Sequence, residues 1–205
     1  MVRKITPHKK EGEVKIVEKA GKVTVWTRQN KKILEDLEKN GRYIAKKHYI
    51  EADMEDTSPV VLAAYDWLVK HSPKAFLRPE DVEYLIWVSY EKEATMLPDS
   101  NTVVLELLID PQLITPININ KWGAILNYSY IPENEADAKR HQQLLQTYGV
   151  SDVKACMTQF YPQIKREITD SWDRLFDPNV LLMRGSSEYG VIWEVKKEWV
   201  QRVIR

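Results

Sequence analysis

The chain has 205 residues, with 30 basic and 30 acidic side chains and therefore a formal net charge of zero. Hydrophobic residues make up 43% of the chain and charged residues 29%, which excludes wholesale disorder, and the charge balance argues against a nucleic-acid coat protein, which needs a basic excess. One cysteine cannot form an internal disulfide and no stretch is apolar enough to cross a bilayer, so we expect a soluble, cytoplasmic protein.

The N-terminal segment differs from the rest of the chain in charge. Residues 1–22 contain more basic than acidic side chains and lack the apolar run of a signal peptide. Val14–Val17 and Val23–Val25 flank Ala20-Gly21-Lys22, whose composition suits a hairpin turn. We therefore predict a basic arm or hairpin strand over residues 1–22, which either contacts phosphate or is a solvated tail, and a single α+β domain over residues 23–205.

A strand and two helices are predicted next. Val23–Thr27 alternates apolar and polar residues, as a half-buried strand does. Asn30 can cap the helix that follows, and Asn40-Gly41 can end it because glycine tolerates a positive φ. Ser58-Pro59 suits the start of the second helix. The apolar positions of these helices are Ile33, Leu34 and Leu37 in the first, and Val61, Leu62, Tyr65, Leu68 and Val69 in the second.

The middle of the chain predicts two strands and a short helix. Tyr84–Tyr90 and Thr102–Ile109 are rich in β-branched and aromatic residues, which favour strands. Asp110-Pro111 should end the second strand, because proline lacks the amide proton that a sheet needs. Asn120–Asn127 predicts a short helix that carries Trp122.

The C-terminal part predicts helices followed by a strand. Residues 132–176 have a helical pattern that is interrupted at Gly149 and Pro162, and Glu188–Val195 is an apolar run typical of a strand. The order is strand, helix, helix, strands, helices, strands. This order predicts an α+β fold with a mostly antiparallel sheet rather than regular βαβ units.

Standard motifs for phosphate, nucleophile and metal chemistry are missing from the sequence. The chain has no glycine-rich phosphate loop, no Gly-x-Ser-x-Gly and no Cys-x-x-Cys. Cys156 lies in a predicted amphipathic helix, where we expect a buried structural thiol rather than a nucleophile. The histidines are far apart in sequence, so we expect no zinc site. They are His8, His48, His71 and His141.

Three segments occur in an order that resembles the ADP-ribosyltransferase fold. They are Trp26-Thr27 at the end of the first strand, Gly41-Arg42-Tyr43-Ile44-Ala45 after the first helix, and Glu188-Tyr189 at the start of the terminal strand. The poly-ADP-ribose polymerase branch of that fold has a His-Gly-Ser type motif, a Gly-x-Tyr-x-Ala turn and an Asn-Glu-Tyr motif at these places. Trp26-Thr27 stands where the His-Gly pair that holds the adenosine ribose of NAD would be. The resemblance implies a split antiparallel sheet with flanking helices and a helical segment before the last strands.

The same resemblance implies a function, which is the transfer of ADP-ribose from NAD to a protein or nucleic acid without a metal ion. Glu188 would be the catalytic residue, because a carboxylate beside the ribose offsets the positive charge of an oxocarbenium-like transition state. Arg28 or Arg42 would meet the diphosphate. The residues expected to bind NAD are Thr27, Arg28, Gln29, Tyr43 and Tyr65.

Each of these residues also has a structural interpretation. Glu188 and Glu194 could lie on one face of a solvated edge strand, and Thr27 could cap a helix. Tyr43 and Tyr65 could line the core. The alternative function is a non-catalytic module on the same scaffold that binds a nucleotide or a partner protein.

A second resemblance covers residues 23–203, and here the chain is similar to a bacterial family described as domain-of-unknown-function family 3841. This resemblance supports the domain boundaries and implies no activity. The segments that carry it are Val25-Trp26-Thr27-x-Gln29, Ala64-Tyr65-Asp66-Trp67-Leu68, Ile86-Trp87, Leu105-Glu106-Leu107, Trp122 with Leu126-Asn127, Trp172-x-x-x-Phe176, Trp193-Glu194-Val195 and Trp199-Val200.

Overall fold

An antiparallel sheet forms the centre of the fold. The computed structural model describes residues 18–19, 21–47, 58–180 and 188–205. The strands in these ranges are β1 (Glu18–Lys19), β2 (Lys22–Asn30), β3 (Arg42–Tyr43), β4 (Ile86–Ser89), β5 (Thr102–Ile109), β6 (Thr115–Asn118), β7 (Glu188–Ile192), β8 (Val195–Lys196) and β9 (Val200–Ile204). The order in the main sheet is β6-β7-β4-β2-β5-β9, with β1 paired to the start of β2, and β3 and β8 form a separate pair.

Helices flank this sheet. They are α1 (Ile33–Asn40), α2 (Ser58–His71), α3 (Ile119–Leu126), α4 (Glu135–Tyr148), α5 (Asp152–Met157) and α6 (Pro162–Ser171), and a 3₁₀ helix over Trp172–Phe176 follows α6. Among the described helices, none has the length and apolar character needed to cross a membrane.

Strand β2 is the longest strand and organises the sheet. Its side chains alternate: Val23, Val25 and Thr27 are buried, whereas the residues between them are partly exposed. It pairs with β5 along its whole length, from Val23↔Ile109 to Asn30↔Thr102. This long ladder sets the register of the sheet, because a one-residue slip would turn the buried side chains to the other face.

The two faces of the sheet belong to two separate cores. On one face, Val25, Leu105 and Ile192 pack with Ile33 and Leu37 of α1. On the other face, the buried side chains of the sheet pack against the remaining helices. That second core includes Ile117, Val191, Leu68, Trp122, Ile168 and Trp172. Because Val191 and Ile192 are neighbours in β7 yet belong to different cores, β7 must be covered on both faces.

A close approach fixes the identity of one residue in β7. A Cβ atom added to Gly190 would overlap Cγ2 of Ile114, and it would also lie 3.3 Å from Cγ2 of Val88. Glycine therefore fits here because it has no side chain, and Ile114 occupies the space instead.

Several predicted elements are confirmed by the structure. The fold is α+β with a mostly antiparallel sheet, and the strand Thr102–Ile109 has its predicted bounds. The first helix ends at Gly41, whose φ is 69°. The predicted helical region after residue 132 contains α4, α5 and α6, and Gly149 caps α4 with a φ of 60°.

The predicted terminal strand Glu188–Val195 is wrong in its second half. Strand β7 ends at Ile192, and Val195–Lys196 pairs instead with Arg42–Tyr43. The Arg42 guanidinium donates to Glu194 at 3.0 Å, so this part of the chain contacts β3 and not β4. Glu188 and Glu194 therefore do not lie on one solvated edge strand, since β7 is an interior strand between β6 and β4.

Strands β6 and β9 and the two-residue strands β1 and β3 were not predicted, and one cap was placed incorrectly. β6 contains Pro116, and β9 has exposed polar residues at its centre, so neither has the apolar alternation of a typical strand. Asn30 is not the cap of α1. Its side chain accepts from the Lys32 amide at 3.0 Å and forms the turn that precedes the helix. The predicted strand Val14–Val17 and the Ser58 side chain lie outside the described residues.

Candidate functional site

The segment that was predicted to bind NAD lies where β2 and β4 meet. The register between these strands contains the single pair Trp26↔Ser89, although β2 continues to Asn30 beside β5. We call this region the β2–β4 junction and define it by Trp26, Thr27, Gln29, Trp87 and Ser89. Because the backbone pairing is so short, side chains supply part of the connection between the two strands.

Thr27 makes the principal side-chain connection at the junction. Its hydroxyl donates to the Trp87 carbonyl at 2.7 Å, and it receives a hydrogen bond from the Gln29 amide nitrogen at 2.8 Å. Only 1% of Thr27 is exposed, so both bonds are shielded from water. Thr27 and Gln29, which were both predicted to bind NAD, are thus in direct contact with each other. The alternative of Thr27 as a helix cap is wrong, because β2 runs through this position.

Tyr65 joins the same hydrogen-bond chain from the opposite face of the sheet. The Trp87 indole nitrogen donates to the Tyr65 hydroxyl oxygen at 2.6 Å. Burial raises the pKa of Tyr65 to about 12, so the phenol stays neutral at physiological pH. Its ring meets Tyr84 and Trp122 edge-on. These contacts are those of a core residue, and they link Gln29, Thr27, Trp87 and Tyr65 into one chain.

Arg28 and Tyr43 lie away from this hydrogen-bond chain. Arg28 donates to Asp99 at 2.7 Å and to the Thr102 hydroxyl at 3.2 Å, so its guanidinium stabilises the turn before β5. Tyr43 is buried on the α1 side of the sheet, where its backbone pairs with Val195. The five predicted NAD-binding residues therefore do not all converge. Thr27, Gln29 and Tyr65 are connected through Trp87, whereas the other two are not part of that chain.

Arg42 has internal partners of its own. It pairs with Asp81 and Glu194, and the hydrogen bonds to these carboxylates raise the pKa of Arg42 above its usual value. The hydrogen bond from Arg42 also holds the pKa of Asp81 below its usual value. Arg42 thus connects β3 to the chain that follows β7, and this use of its charge differs from the predicted contact with a diphosphate.

Glu188 is the first residue of β7, and its backbone pairs with Asn118 of β6. Its side chain is outside the part of the chain that the structure describes. The position of β7 is defined by a row of paired residues, in which Trp26 lies opposite Ser89 and Ser89 lies opposite Tyr189. Strands β2 and β7 are each antiparallel to β4 and therefore parallel to each other.

A second polar network was not foreseen from the sequence. His141 of α4 is only 4% exposed, and each of its ring nitrogens faces a carboxylate oxygen. Nδ1 lies 2.8 Å from Oε1 of Glu167, and Nε2 lies 2.7 Å from Oδ1 of Asp152. Burial lowers the pKa of His141, but the hydrogen bonds to the two carboxylates outweigh it and raise the pKa above its ordinary value. An imidazolium, which donates from both nitrogens, fits this arrangement.

Further charges surround Tyr130 beside His141. The Tyr130 ring stacks on the imidazole at 3.9 Å between centroids, and the guanidinium groups of Arg140 and Arg174 lie over the same ring. Asp137 accepts from Tyr130 and from both arginines. Burial raises the pKa of Asp137, but hydrogen bonds led by the Glu133 amide outweigh it and lower the pKa to about 2.

We call this network the ionic cluster, and its members are Tyr130, Asp137, Arg140, His141, Asp152, Glu167 and Arg174. It borders an open cleft of about 550 Å³ between α4 and α6. The spacing of Asp137, Arg140 and His141, at positions that share one helix face, was the available sequence signal. Asp152 and Glu167 come from separate helices, so no local pattern could connect them to His141.

A family model described as "Domain of unknown function (DUF3841)" matches residues 24–201. No curated protein and no solved structure matches the chain. The family match covers nearly all of the described sheet, including the β2–β4 junction and β7, and it covers the ionic cluster. On this match, the chain belongs to the DUF3841 family.

Proposed function

We propose that this protein transfers ADP-ribose from NAD to a protein or nucleic acid, with Glu188 as the catalytic residue. The observation that carries the proposal is the placement of β7. Glu188 begins an interior strand that runs parallel to β2, with only β4 between them. Two strand spacings amount to roughly 10 Å, so one dinucleotide can reach both the start of β7 and the Trp26-Thr27 segment.

The central protein group in the proposed reaction is the carboxylate of Glu188. The bond between ribose C1 and the nicotinamide nitrogen breaks, and nicotinamide leaves with the electron pair. A nucleophile of the acceptor then bonds to C1 and loses a proton. Glu188 would hold a ribose hydroxyl and offset the positive charge that develops on the sugar. Thr27 and Gln29 would bind another part of NAD at the β2–β4 junction.

The residues predicted to bind NAD differ in the hydrogen bonds that they already make within the fold. The Gln29 amide is half-buried at the junction and its oxygen has no partner among the described residues, so it can receive a hydrogen bond from a ligand. The Tyr65 hydroxyl oxygen accepts from the Trp87 indole, and Arg42 donates to Glu194 and Asp81, so both side chains already have partners within the fold. In the proposal they support the sheet, and the contacts to NAD come from the β2 segment and Glu188.

The test is nicotinamide release from NAD, measured with and without a cell extract as a source of acceptor. We expect the wild type to consume NAD, and Glu188→Gln to lose at least about 100-fold in kcat with a similar melting temperature. Glu198→Gln is the matched control, because Glu198 lies near the C-terminus in a short 3₁₀ helix. A Glu188→Gln variant with wild-type activity, or a wild type that neither consumes NAD nor is stabilised by it, would contradict the proposal.

A second candidate is a non-catalytic module that binds a nucleotide or a partner protein. It is favoured by the Trp26-Thr27 pair, which replaces the histidine of the transferase pattern, and by the Thr27 hydroxyl, which is bonded within the sheet. Under this proposal, NAD or ADP-ribose shifts the amide resonances of β2 without any release of nicotinamide, or a stable protein partner is captured while nucleotides cause no shift.

A further inference from the structure

The β2–β4 junction holds one amide group in a single orientation. The Trp87 carbonyl can only accept, so the Thr27 hydroxyl must donate its one proton to it at 2.7 Å. The same hydroxyl can then only accept from Gln29, at 2.8 Å. Because Nε2 of Gln29 donates to Thr27, Oε1 of the same amide does not bond to Thr27. The positions of the nitrogen and the oxygen in the Gln29 amide thus follow from the hydrogen bonds of Thr27.

Oε1 of Gln29 can accept a hydrogen bond from a ligand. Among the residues that the structure describes, none donates to Oε1 of Gln29, and the side chain is partly exposed. Thr27, by contrast, is 1% exposed and its hydroxyl has used both its proton and a lone pair. A ligand can reach Gln29, and it cannot replace the hydrogen bonds of Thr27 without opening the junction.

We infer that Gln29, and not Thr27, is the residue of β2 that contacts the ligand, and that Thr27 is a positioning residue which aims the Gln29 carbonyl at a hydrogen-bond donor such as a ribose hydroxyl. This inference rests on the proposed function for the identity of the ligand, NAD. It assigns the two residues different roles, whereas their sequence positions alone gave them equal ones.

The orientation of the amide can be tested without NAD. In ¹⁵N-labelled protein, the Gln29 side-chain amide protons should exchange slowly with water because one of them is bonded to Thr27. Thr27→Val should accelerate this exchange at least about tenfold, and Thr27→Ser, which keeps the hydroxyl, should restore protection. Thr24→Val is the matched control, since Thr24 lies in the same strand on the other face. Unchanged exchange in Thr27→Val would overturn the positioning role.

The contact with NAD is tested by affinity. We expect Gln29→Leu and Thr27→Val each to weaken NAD binding about tenfold, as loss of one hydrogen bond does, and Thr27→Ser to bind nearly as well as the wild type. The double variant should be no weaker than either single variant, because both remove the same contact. Thr24→Val should leave the affinity unchanged.

The outcomes separate this inference from the proposed function. A wild type that does not bind NAD would refute the proposed function, and the assigned ligand of Gln29 would fall with it. A wild type that binds NAD, together with a Gln29→Leu variant that binds it equally well, would refute the role of Gln29 alone. Additive losses in the double variant would show that Thr27 contacts the ligand independently, which also contradicts the inference.

Discussion

The β2–β4 junction and the ionic cluster are both polar networks with buried and partly exposed members, but they differ in charge. The junction links Gln29, Thr27, Trp87 and Tyr65 through neutral groups. In the ionic cluster, the cations Arg140, Arg174 and protonated His141 face the carboxylates of Asp137, Asp152 and Glu167. The cluster is balanced only while His141 carries its proton.

This difference predicts how each region responds to change. A neutral hydrogen-bond chain loses only the bond that is removed, because no charge is left behind. A set of charges around one buried imidazole responds more strongly, since removal of the imidazole leaves two partly buried carboxylates without their shared cation. The cluster should therefore control stability and its pH dependence, while the junction should affect ligand binding at a small cost in stability.

The largest expected effect is the loss of His141. His141→Leu leaves Asp152 and Glu167 without their shared cation, and both carboxylates are partly shielded from water. We expect the free energy of unfolding to fall by about 3 kcal/mol, measured by urea denaturation. His71→Leu is the control, because His71 is 30% exposed and faces Asp173 at 3.4 Å. Equal losses in the two variants would remove the distinction between the cluster and a single, partly exposed histidine–carboxylate pair.

The next effect is the pH dependence of stability. The pKa of His141 is raised in the folded state, so its contribution is fully present below about pH 6.5, the unfolded pKa, and is lost as the pH rises through the folded pKa. The groups that face the imidazole are Asp152, Glu167, Arg140 and Tyr130. The wild type should lose stability with rising pH, and His141→Leu should lose less. Parallel curves for the two proteins would contradict this assignment.

A smaller effect is expected at the junction. Thr27→Val leaves the buried Trp87 carbonyl without its donor, and we expect a loss of about 1 kcal/mol in the free energy of unfolding. Because no charge is involved, the loss should be the same at pH 6 and pH 8. Thr24→Val, on the partly exposed face of β2, should have little effect. A pH-dependent loss in Thr27→Val would show that the junction is coupled to the cluster.

The smallest effect should come from Tyr65. Tyr65→Phe removes the acceptor of the Trp87 indole proton and should lower the free energy of unfolding by about 0.5–1 kcal/mol. In the wild type, burial raises the pKa of Tyr65 to about 12, so this phenol should ionise at a higher pH than an exposed tyrosine, which ultraviolet absorbance can follow. Tyr148→Phe is the control, because Tyr148 is 54% exposed. Normal ionisation of Tyr65 would place it outside the core.

Local patterns predicted much of the fold, and long-range contacts explain the failures. The strand-favouring residues of Thr102–Ile109 and the glycine after α1 are each local signals, and both predictions were confirmed. Strand β9 was missed because its pairing with β5 compensates for a polar sequence. The end of β7 was misplaced because the Arg42–Glu194 contact joins residues far apart in the chain.

The candidate site shows the same division. Thr27 and Gln29 share a face because β2 continues to Asn30, whereas the predicted strand ended at Thr27. Their connection to Tyr65 could not be predicted. Thr27 donates to the backbone carbonyl of Trp87, and Tyr65 accepts from the indole of Trp87. The ionic cluster draws its members from three helices and the segments beside them, and each member alone has the appearance of an ordinary surface charge.

Trp87 has a consequence for how the protein reaches its native state. All four residues of β4 pair with β7 but only one pairs with β2, so side-chain contacts add to the backbone pairing that sets its alignment. A shift by one residue would turn the indole away from Tyr65 and bring Val88 in its place, leaving a buried phenol oxygen without its donor. The Trp87–Tyr65 hydrogen bond thus lowers the free energy of the native alignment of β4 relative to shifted alignments.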